Sequence, residues 1–493
     1  MLNTTIKGNI IMKVIIGSER VETEDRITLR EPATGKEIDY IPLLDRDKVK
    51  EAIDIAFQTL DKLQAIPPYM RSKFLHKASE LIRQRQEELA TLMVREIGRP
   101  IKSSRVEILR AAQIFDLAAE EIKNVFSGRF VPLDVYEFPP GNENRIAFVK
   151  RDPVGVVASI TPFNFPAASF AHKVAPALAV GNTVVHKPTI LAPLTQIRLA
   201  EILLEVGFPP GSINIVTGNS EMIGEEFTTN PKVSLITFTG SSSVGLNLAS
   251  RAIANGKRAI MELGGSDAMI VLEDADIQRA VNAAITGRFD YAGQFCNATK
   301  RIIVRKEIAT EFSKALSEKL SKIKMGNPLD EGTDIGPLIT KDAVENMKSF
   351  LDDAIRSGAE VVYQGKDIPT TGYFFPPTIL KLRGFNEKVR VMKEEIFGPL
   401  LPMVEVSSDD EAVSIANTSE YGLDASVFTK DFSRAYKIAS KIKSGTVMIN
   451  DVTRLRWDNL PFGGFRKSGI GREGVRDTML EMTEVKVVEY NLS

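Results

Sequence analysis

Apolar residues recur at helical spacing in the first quarter of the chain. Residues 46–62 and 69–97 read as helices, and in the second Phe74, Leu75, Ala78, Leu81 and Ile82 share one face. Residues 103–126 continue the pattern with Ile108, Ala111, Ala112, Phe115, Leu117 and Ala118. The stretch Phe138-Pro-Pro-Gly-Asn-Glu-Asn breaks any regular element and predicts an excursion from the main body. From about residue 148 the period changes. Short apolar runs at 154–160, 183–186, 213–216, 235–238 and 259–262 alternate with helical segments, among them 194–206. Such alternation predicts a parallel α/β sheet. A second α/β set spans 268 to about 450, with strands expected at 268–272, 301–304, 401–406 and 446–450, and a last strand at 484–490. Internal repeats and low-complexity segments are absent from the sequence.

The 493-residue length predicts two or three domains. An apolar fraction of 43%, 26% charged residues and a net charge of −1 describe a globular protein without the basic footprint of a nucleic-acid binder. No apolar run is long enough to span a membrane, so no membrane partner is expected. The first residues lack the apolar core and cleavage site of a signal peptide. With a single cysteine, they point to the cytoplasm. Met12 is an alternative start to Met1. The three histidines are scattered and no Cys-x-x-Cys spacing occurs, so no metal site is expected. No Gly-x-Ser-x-Gly elbow supports a serine triad.

The candidate chemistry centres on that lone cysteine. Cys296 stands in Gly293-Gln-Phe-Cys-Asn, 34 positions after Glu262 in Glu-Leu-Gly-Gly. A thiol attacks carbonyls covalently, and a carboxylate can later act as base toward water. The one Gly-x-Gly-x-x-Gly match, Gly469 to Gly474, lies too near the end of the sequence for a βαβ unit and reads as a loop. Better dinucleotide-binding segments follow three expected strands: Thr161-Pro-Phe-Asn, Lys187-Pro-Thr and Phe238-Thr-Gly-Ser. Ser241 would open a helix toward a pyrophosphate.

Seven ordered motifs carry a resemblance: Thr161-Pro-Phe-Asn-Phe-Pro, Gly181-Asn-Thr-Val-Val-His-Lys-Pro, Phe238-Thr-Gly-Ser, Glu262-Leu-Gly-Gly, Gly293-Gln-Phe-Cys, Glu395-Ile-Phe-Gly-Pro and Pro461-Phe-Gly-Gly. From about 15 to 490 the chain resembles the NAD(P)+-dependent aldehyde dehydrogenase superfamily. The resemblance implies a Rossmann-like cofactor domain (1–126 and 148–262), an α/β catalytic domain (263–466) and a small β oligomerisation element (127–147 and 467–493) that builds homodimers or homotetramers. It implies that Cys296 forms a thiohemiacetal and then a thioester. Asn164 and the Cys296 N–H would make the oxyanion hole, and Glu262 would activate the hydrolytic water. Lys187 would reach the adenosine ribose or its 2′-phosphate, Ser241 the pyrophosphate, Glu395 the nicotinamide ribose and Phe397 the ring. Ile160, Thr161, Pro162, Phe163, Thr189, Gly218, Phe238, Gly240, Val244, Leu263 and Gly264 complete the implied cofactor set. An inactive binding protein on the same fold is opposed by the presence of Cys296, Glu262 and Asn164 together.

Arg456-Trp-Asp-Asn-Leu-Pro-Phe-Gly-Gly, Gly471-Arg-Glu-Gly and Glu107-Ile-Leu-Arg-Ala-Ala look like the branch of non-phosphorylating glyceraldehyde-3-phosphate dehydrogenases and lactaldehyde dehydrogenases. Arg110 matches a substrate-side arginine there, and Arg454 and Arg456 flank another. Phe295 and Phe165 stand where phosphate-using members often have Arg and Tyr. The expectation is glyceraldehyde 3-phosphate, with lactaldehyde, glyceraldehyde or another small aldehyde as alternatives. Ile190 replaces the glutamate frequent in NAD+-specific relatives, so NADP+ is favoured over NAD+.

Overall fold

The computed structural model describes residues 13–493, so the choice between Met1 and Met12 lies outside the described residues. Among the described residues there are two α/β units, one small three-stranded sheet and two two-stranded hairpins, Val14–Ile16 with Glu19–Val21 and Arg26–Arg30 with Glu37–Pro42. The first unit holds a six-stranded sheet in the order Gly469–Ile470, Arg258–Glu262, Val233–Thr239, Val156–Thr161, Thr183–Pro188 and Ile213–Ile215. All neighbours are parallel except the first pair. Val156–Thr161 and Thr183–Pro188 are buried along their whole length. That is why each places apolar residues side by side, Val156-Val157 and Val184-Val185, rather than alternating them with exposed ones. The helix between them, Pro166–Val180, is also buried at every position and ends at Gly181, whose φ is 93°. Ser241 stands at the N-cap position of a helix, Ser242–Ala254, without a side-chain capping hydrogen bond.

The helix expected over 69–97 is two, Pro68–Gln84 and Gln86–Ile97, broken at Arg85. No Gly or Pro marks the break. It falls in the polar run 83–88, where no buried side chain holds the helix straight. The next helix, Ile101–Val125, packs against Pro68–Gln84 and Pro166–Val180.

The second unit has seven strands in the order Glu360–Gln364, Thr378–Lys381, Leu400–Val406, Thr299–Arg305, Asp267–Val271, Asp424–Phe428 and Thr446–Ile449. Only the first pair is antiparallel. The excursion forms Arg129–Pro132 and Arg145–Pro153, and the last strand, Thr483–Asn491, pairs antiparallel with the latter over nine residues. The tail from 467 is divided: Gly469–Ile470 joins the first sheet and Val475–Glu481 packs against Pro166–Val180, leaving only the final strand to the small sheet. No described helix is long and apolar enough to cross a membrane.

Candidate active site

Two adjoining cavities open at the carboxyl ends of the first sheet's strands, where ligands of open α/β sheets sit. The inner one, about 330 Å³, is lined by Asn164, Glu262 and Cys296 together with Pro162, Phe163, Phe165, Gly240, Ser241, Leu263, Gly264, Glu395, Phe397, Arg110, Arg454 and Arg456. The outer one, about 680 Å³, is lined by Ile160, Thr161, Pro162, Lys187, Thr189, Phe238, Gly240 and Val244. Sequence reading did not single out its other walls, Glu221 and Arg251 among them.

Two expected site residues line neither cavity. Phe295 is fully buried, its ring 5.1 Å from Phe165 and 5.8 Å from Tyr291, with the Arg454 guanidinium 4.5 Å above it. It supports the wall from behind. Gly218 bridges the backbone of Leu44, and a Cβ there would stand 2.7 Å from the Leu44 carbonyl. That close approach to the Leu44 backbone gives the glycine a packing reason at this position.

Local backbone places the Cys296 thiol. Tyr291, Ala292 and Gly293 follow one another with φ of 46°, 53° and 72°, a left-handed run that turns the chain before Cys296. Two non-glycine residues in that region cost about 1–3 kcal/mol each and persist only where surroundings enforce them. Tyr291 is held by its hydroxyl, which donates to the Ile97 carbonyl at 2.9 Å. The glycines after Glu262 admit other parts of the chain: a Cβ at Gly265 would meet the Cys296 carbonyl at 2.6 Å, and one at Gly264 the Glu395 carboxylate at 2.5 Å.

Asn164 sits in the turn before Pro166–Val180, and its Nδ2 donates one N–H to the Gln294 carbonyl at 3.0 Å. The second N–H remains for a ligand. Glu107 anchors that turn, accepting from the backbone N–H groups of Ala167 and Ala168 at 3.0 and 3.3 Å while pairing with buried Arg99. An acidic side chain at a helix N-terminus suits the helix dipole.

Burial, reinforced by the negative charge of Glu473, pushes the Glu262 carboxyl up to about 8. Its Oε1 has no hydrogen-bond partner among the described residues. Burial and the charge of Glu262 likewise hold the half-buried Cys296 thiol well above its ordinary range, against the pull of Lys300. At neutral pH both groups keep their protons. Lys187 is pulled down to about 8 by burial and has no hydrogen-bond or ion-pair partner among the described residues.

The arginines are committed elsewhere. Arg110 clasps Asp458 through Nη2 at 2.6 Å and Nε at 3.1 Å. Asp458 also lies 2.8 Å from His172 Nε2. Burial opposes its ionisation, yet His172 and Arg110 outweigh that and hold its carboxyl far below the usual range. Arg454 pairs with Asp290, and Arg456 with Glu473 at 3.1 Å. Glu473 in turn accepts from buried Lys173 at 2.6 Å. Asp458, Asp290, Glu473, His172, Lys173 and Lys300 were not foreseen. Asp458 and Glu473 lie within quoted motifs, but nothing in those motifs says what they pair with. Glu473 falls inside the Gly-rich segment expected to be only a loop.

The sequence pattern of the aldehyde dehydrogenase family matches residues 20–488. A lactaldehyde dehydrogenase of Methanocaldococcus jannaschii is 39% identical over 479 residues, covering 96% of this chain and 99% of that one. A 3-sulfolactaldehyde dehydrogenase of Priestia aryabhattai is 39% identical over 478 residues, 97% of each. A glyceraldehyde-3-phosphate dehydrogenase of Methanocaldococcus jannaschii, solved with NADP, superposes with a TM-score of 0.89 at 38% identity, covering 96% of this chain and all of that one. The chain therefore belongs to the aldehyde dehydrogenase family. It is an oxidoreductase that acts on aldehydes with a nicotinamide dinucleotide.

Proposed function

We propose that the protein oxidises a small, uncharged hydroxyaldehyde, of the size of lactaldehyde or glyceraldehyde, to its acid with NADP+. The observation that carries this reading is the cavity that joins Cys296, Glu262 and Asn164 while Asp458 already occupies Arg110. The Cys296 thiol gives up its proton to solvent, and the Sγ thiolate adds to the aldehyde carbon. The free N–H of Asn164 and the Cys296 backbone N–H take the oxyanion. When bound, the dinucleotide supplies the hydride acceptor that turns the adduct on Cys296 into a thioester. In its ionised form, reached as pH approaches about 8, Glu262 takes a proton from the attacking water, the acid leaves, and the Cys296 thiolate is regenerated.

The outer cavity fits that cofactor. Lys187 is a buried cation without an anion, Arg251 offsets Glu221 on the same wall, and Ile190 offers no carboxylate to repel a 2′-phosphate. Lys187 and Thr189 would hold the adenosine end, Ser241 the pyrophosphate, and Glu395 and Phe397 the nicotinamide end. Glyceraldehyde 3-phosphate is the second reading, favoured by three arginines on the inner wall. The exposed aromatic ladder of Phe130, Phe148 and Tyr490 on the small sheet supports pairing with a second copy into a homodimer or homotetramer.

An aldehyde panel with each cofactor tests the reading. Lactaldehyde or glyceraldehyde should give the highest kcat/KM with NADP+, and Cys296→Ala should form no reduced cofactor. Turnover in Cys296→Ala would sink the nucleophile assignment. A more than tenfold preference for glyceraldehyde 3-phosphate would select the second reading.

A further inference from the structure

Lys300 is the second residue of Thr299–Arg305 and its side chain is wholly buried. An ammonium has three N–H donors and no acceptor. Here all three are used: on the Phe295 carbonyl at 2.9 Å, on the Cys296 carbonyl, and on Glu395 Oε1 at 3.2 Å. Glu395 Oε1 also accepts from the Gly265 N–H at 3.0 Å. One cation thus joins the backbone on both sides of the Phe295–Cys296 peptide to the carboxylate on the inner cavity's cofactor side, and that carboxylate to the Glu-Leu-Gly-Gly segment. Its neighbour Arg301 shows the contrasting structural use of a buried cation: it spends its guanidinium on the carbonyls of Ser266, Ile415 and Ala416, away from the cavity.

We infer that Lys300 is a positioning residue of the reaction, fastening the Cys296 backbone and the Glu395 carboxylate to one ammonium so that nucleophile and ribose-binding group are set as a unit. The inference rests on Cys296 being the nucleophile and Glu395 a cofactor ligand. Burying a lysine is costly unless it is paired and hydrogen-bonded, so a hydrophobe would serve mere packing better. Holding the Cys296 carbonyl orients the loop that also presents the Cys296 N–H to the oxyanion. Among the charges that act on the thiol, Glu262 and Glu395 disfavour the thiolate and Lys300 favours it. Lys300 itself faces Glu395, Asp267 and Asp424.

The chain's single cysteine makes the test direct. Lys300→Met and Lys300→Arg are made in the full chain, and iodoacetamide alkylation is followed at pH 7, below the Glu262 pKa of about 8 in the native chain. Melting temperature, kcat and the KM for NADP+ are measured beside it. Lys300→Met should alkylate about tenfold more slowly, as one unit of thiol pKa requires. It should also lose at least tenfold in kcat and raise the KM for NADP+. Lys300→Arg keeps the charge but not three convergent donors, so alkylation should return to within about threefold of wild type while kcat stays low. Wild-type alkylation and kcat in a folded Lys300→Met overturn the inference. If that variant does not fold, wild-type kcat in Lys300→Arg overturns it. Undiminished turnover in Cys296→Ala would instead remove the reading beneath it.

Discussion

Asp458 holds the Arg110 guanidinium, and Asp458→Asn should release it toward an anionic substrate. In the native site the Arg110 fork is spent on that carboxylate, at 2.6 and 3.1 Å. Asn keeps the shape and removes the charge, leaving a cavity-lining guanidinium whose partner is a neutral amide. A phosphorylated aldehyde would then gain a charge-assisted hydrogen bond of about 1.5–3 kcal/mol, roughly ten- to a hundredfold in kcat/KM. His172 does not take over the lost charge. Burial and Arg456 already hold its pKa down to about 4, and Asp458 is the larger influence raising it. The cost is stability, because breaking one side of a buried pair costs up to about 3–5 kcal/mol, less here because the Arg110 side chain is 23% exposed. The assay compares kcat/KM for glyceraldehyde 3-phosphate and glyceraldehyde in both proteins at low ionic strength, with melting temperature as control. The phosphate-to-neutral ratio should rise at least tenfold. An unchanged ratio, in a folded variant with intact glyceraldehyde turnover, would show that Arg110 does not face the substrate.

Two further substitutions probe the cavities. Glu262→Gln should retain a single-turnover burst of reduced cofactor and lose steady-state turnover; loss of the burst as well would place Glu262 at thiol deprotonation. Its native pKa near 8 against an ordinary 4.5 means the folded chain holds a proton that the unfolded chain releases between those values. Glu262 therefore subtracts stability as pH rises through that window, and the melting-temperature gain of Glu262→Gln should be larger near pH 8 than near pH 5. Wild-type steady-state rate, where hydrolysis limits it, should climb toward pH 8 and the variant should lose that limb. Lys187→Met should raise the KM for NADP+ about ten- to a hundredfold and move that for NAD+ by less than threefold. Equal shifts would place Lys187 on the ribose rather than on a 2′-phosphate.

Strands buried on both faces, such as Val156–Thr161 and Thr183–Pro188, were legible from their adjacent valines, Val156-Val157 and Val184-Val185, which put apolar side chains on both faces. Asp424–Phe428 was not, because it is short and carries Asp424 and Ser426 among its five residues. Cys296, Glu262 and Asn164 were legible by residue type and motif, and the chain brings them to one cavity. The charges that tune the site were illegible. Arg110 and Asp458 lie 348 positions apart, and an ion pair across that separation leaves no local periodicity. Phe295 looked like a lining residue because it precedes the cysteine, but the left-handed run before it turns its ring away into the core.

The edge strand Gly469–Ile470 pairs with Met261 and Glu262, residues made about 200 positions earlier. During synthesis the strand carrying Glu262 therefore waits with an open edge, and Lys173 waits buried without its carboxylate, until the segment with Glu473 leaves the ribosome. An open strand edge invites pairing with other chains. Truncation near residue 460 would remove the partner of the Glu262 strand, the Glu473 carboxylate and the last strand of the small sheet, so the shortened chain should aggregate more readily than the full one, as light scattering would show. The Glu262 strand and the Lys173 ammonium are thus both completed by one short segment, 469–473, far along the sequence.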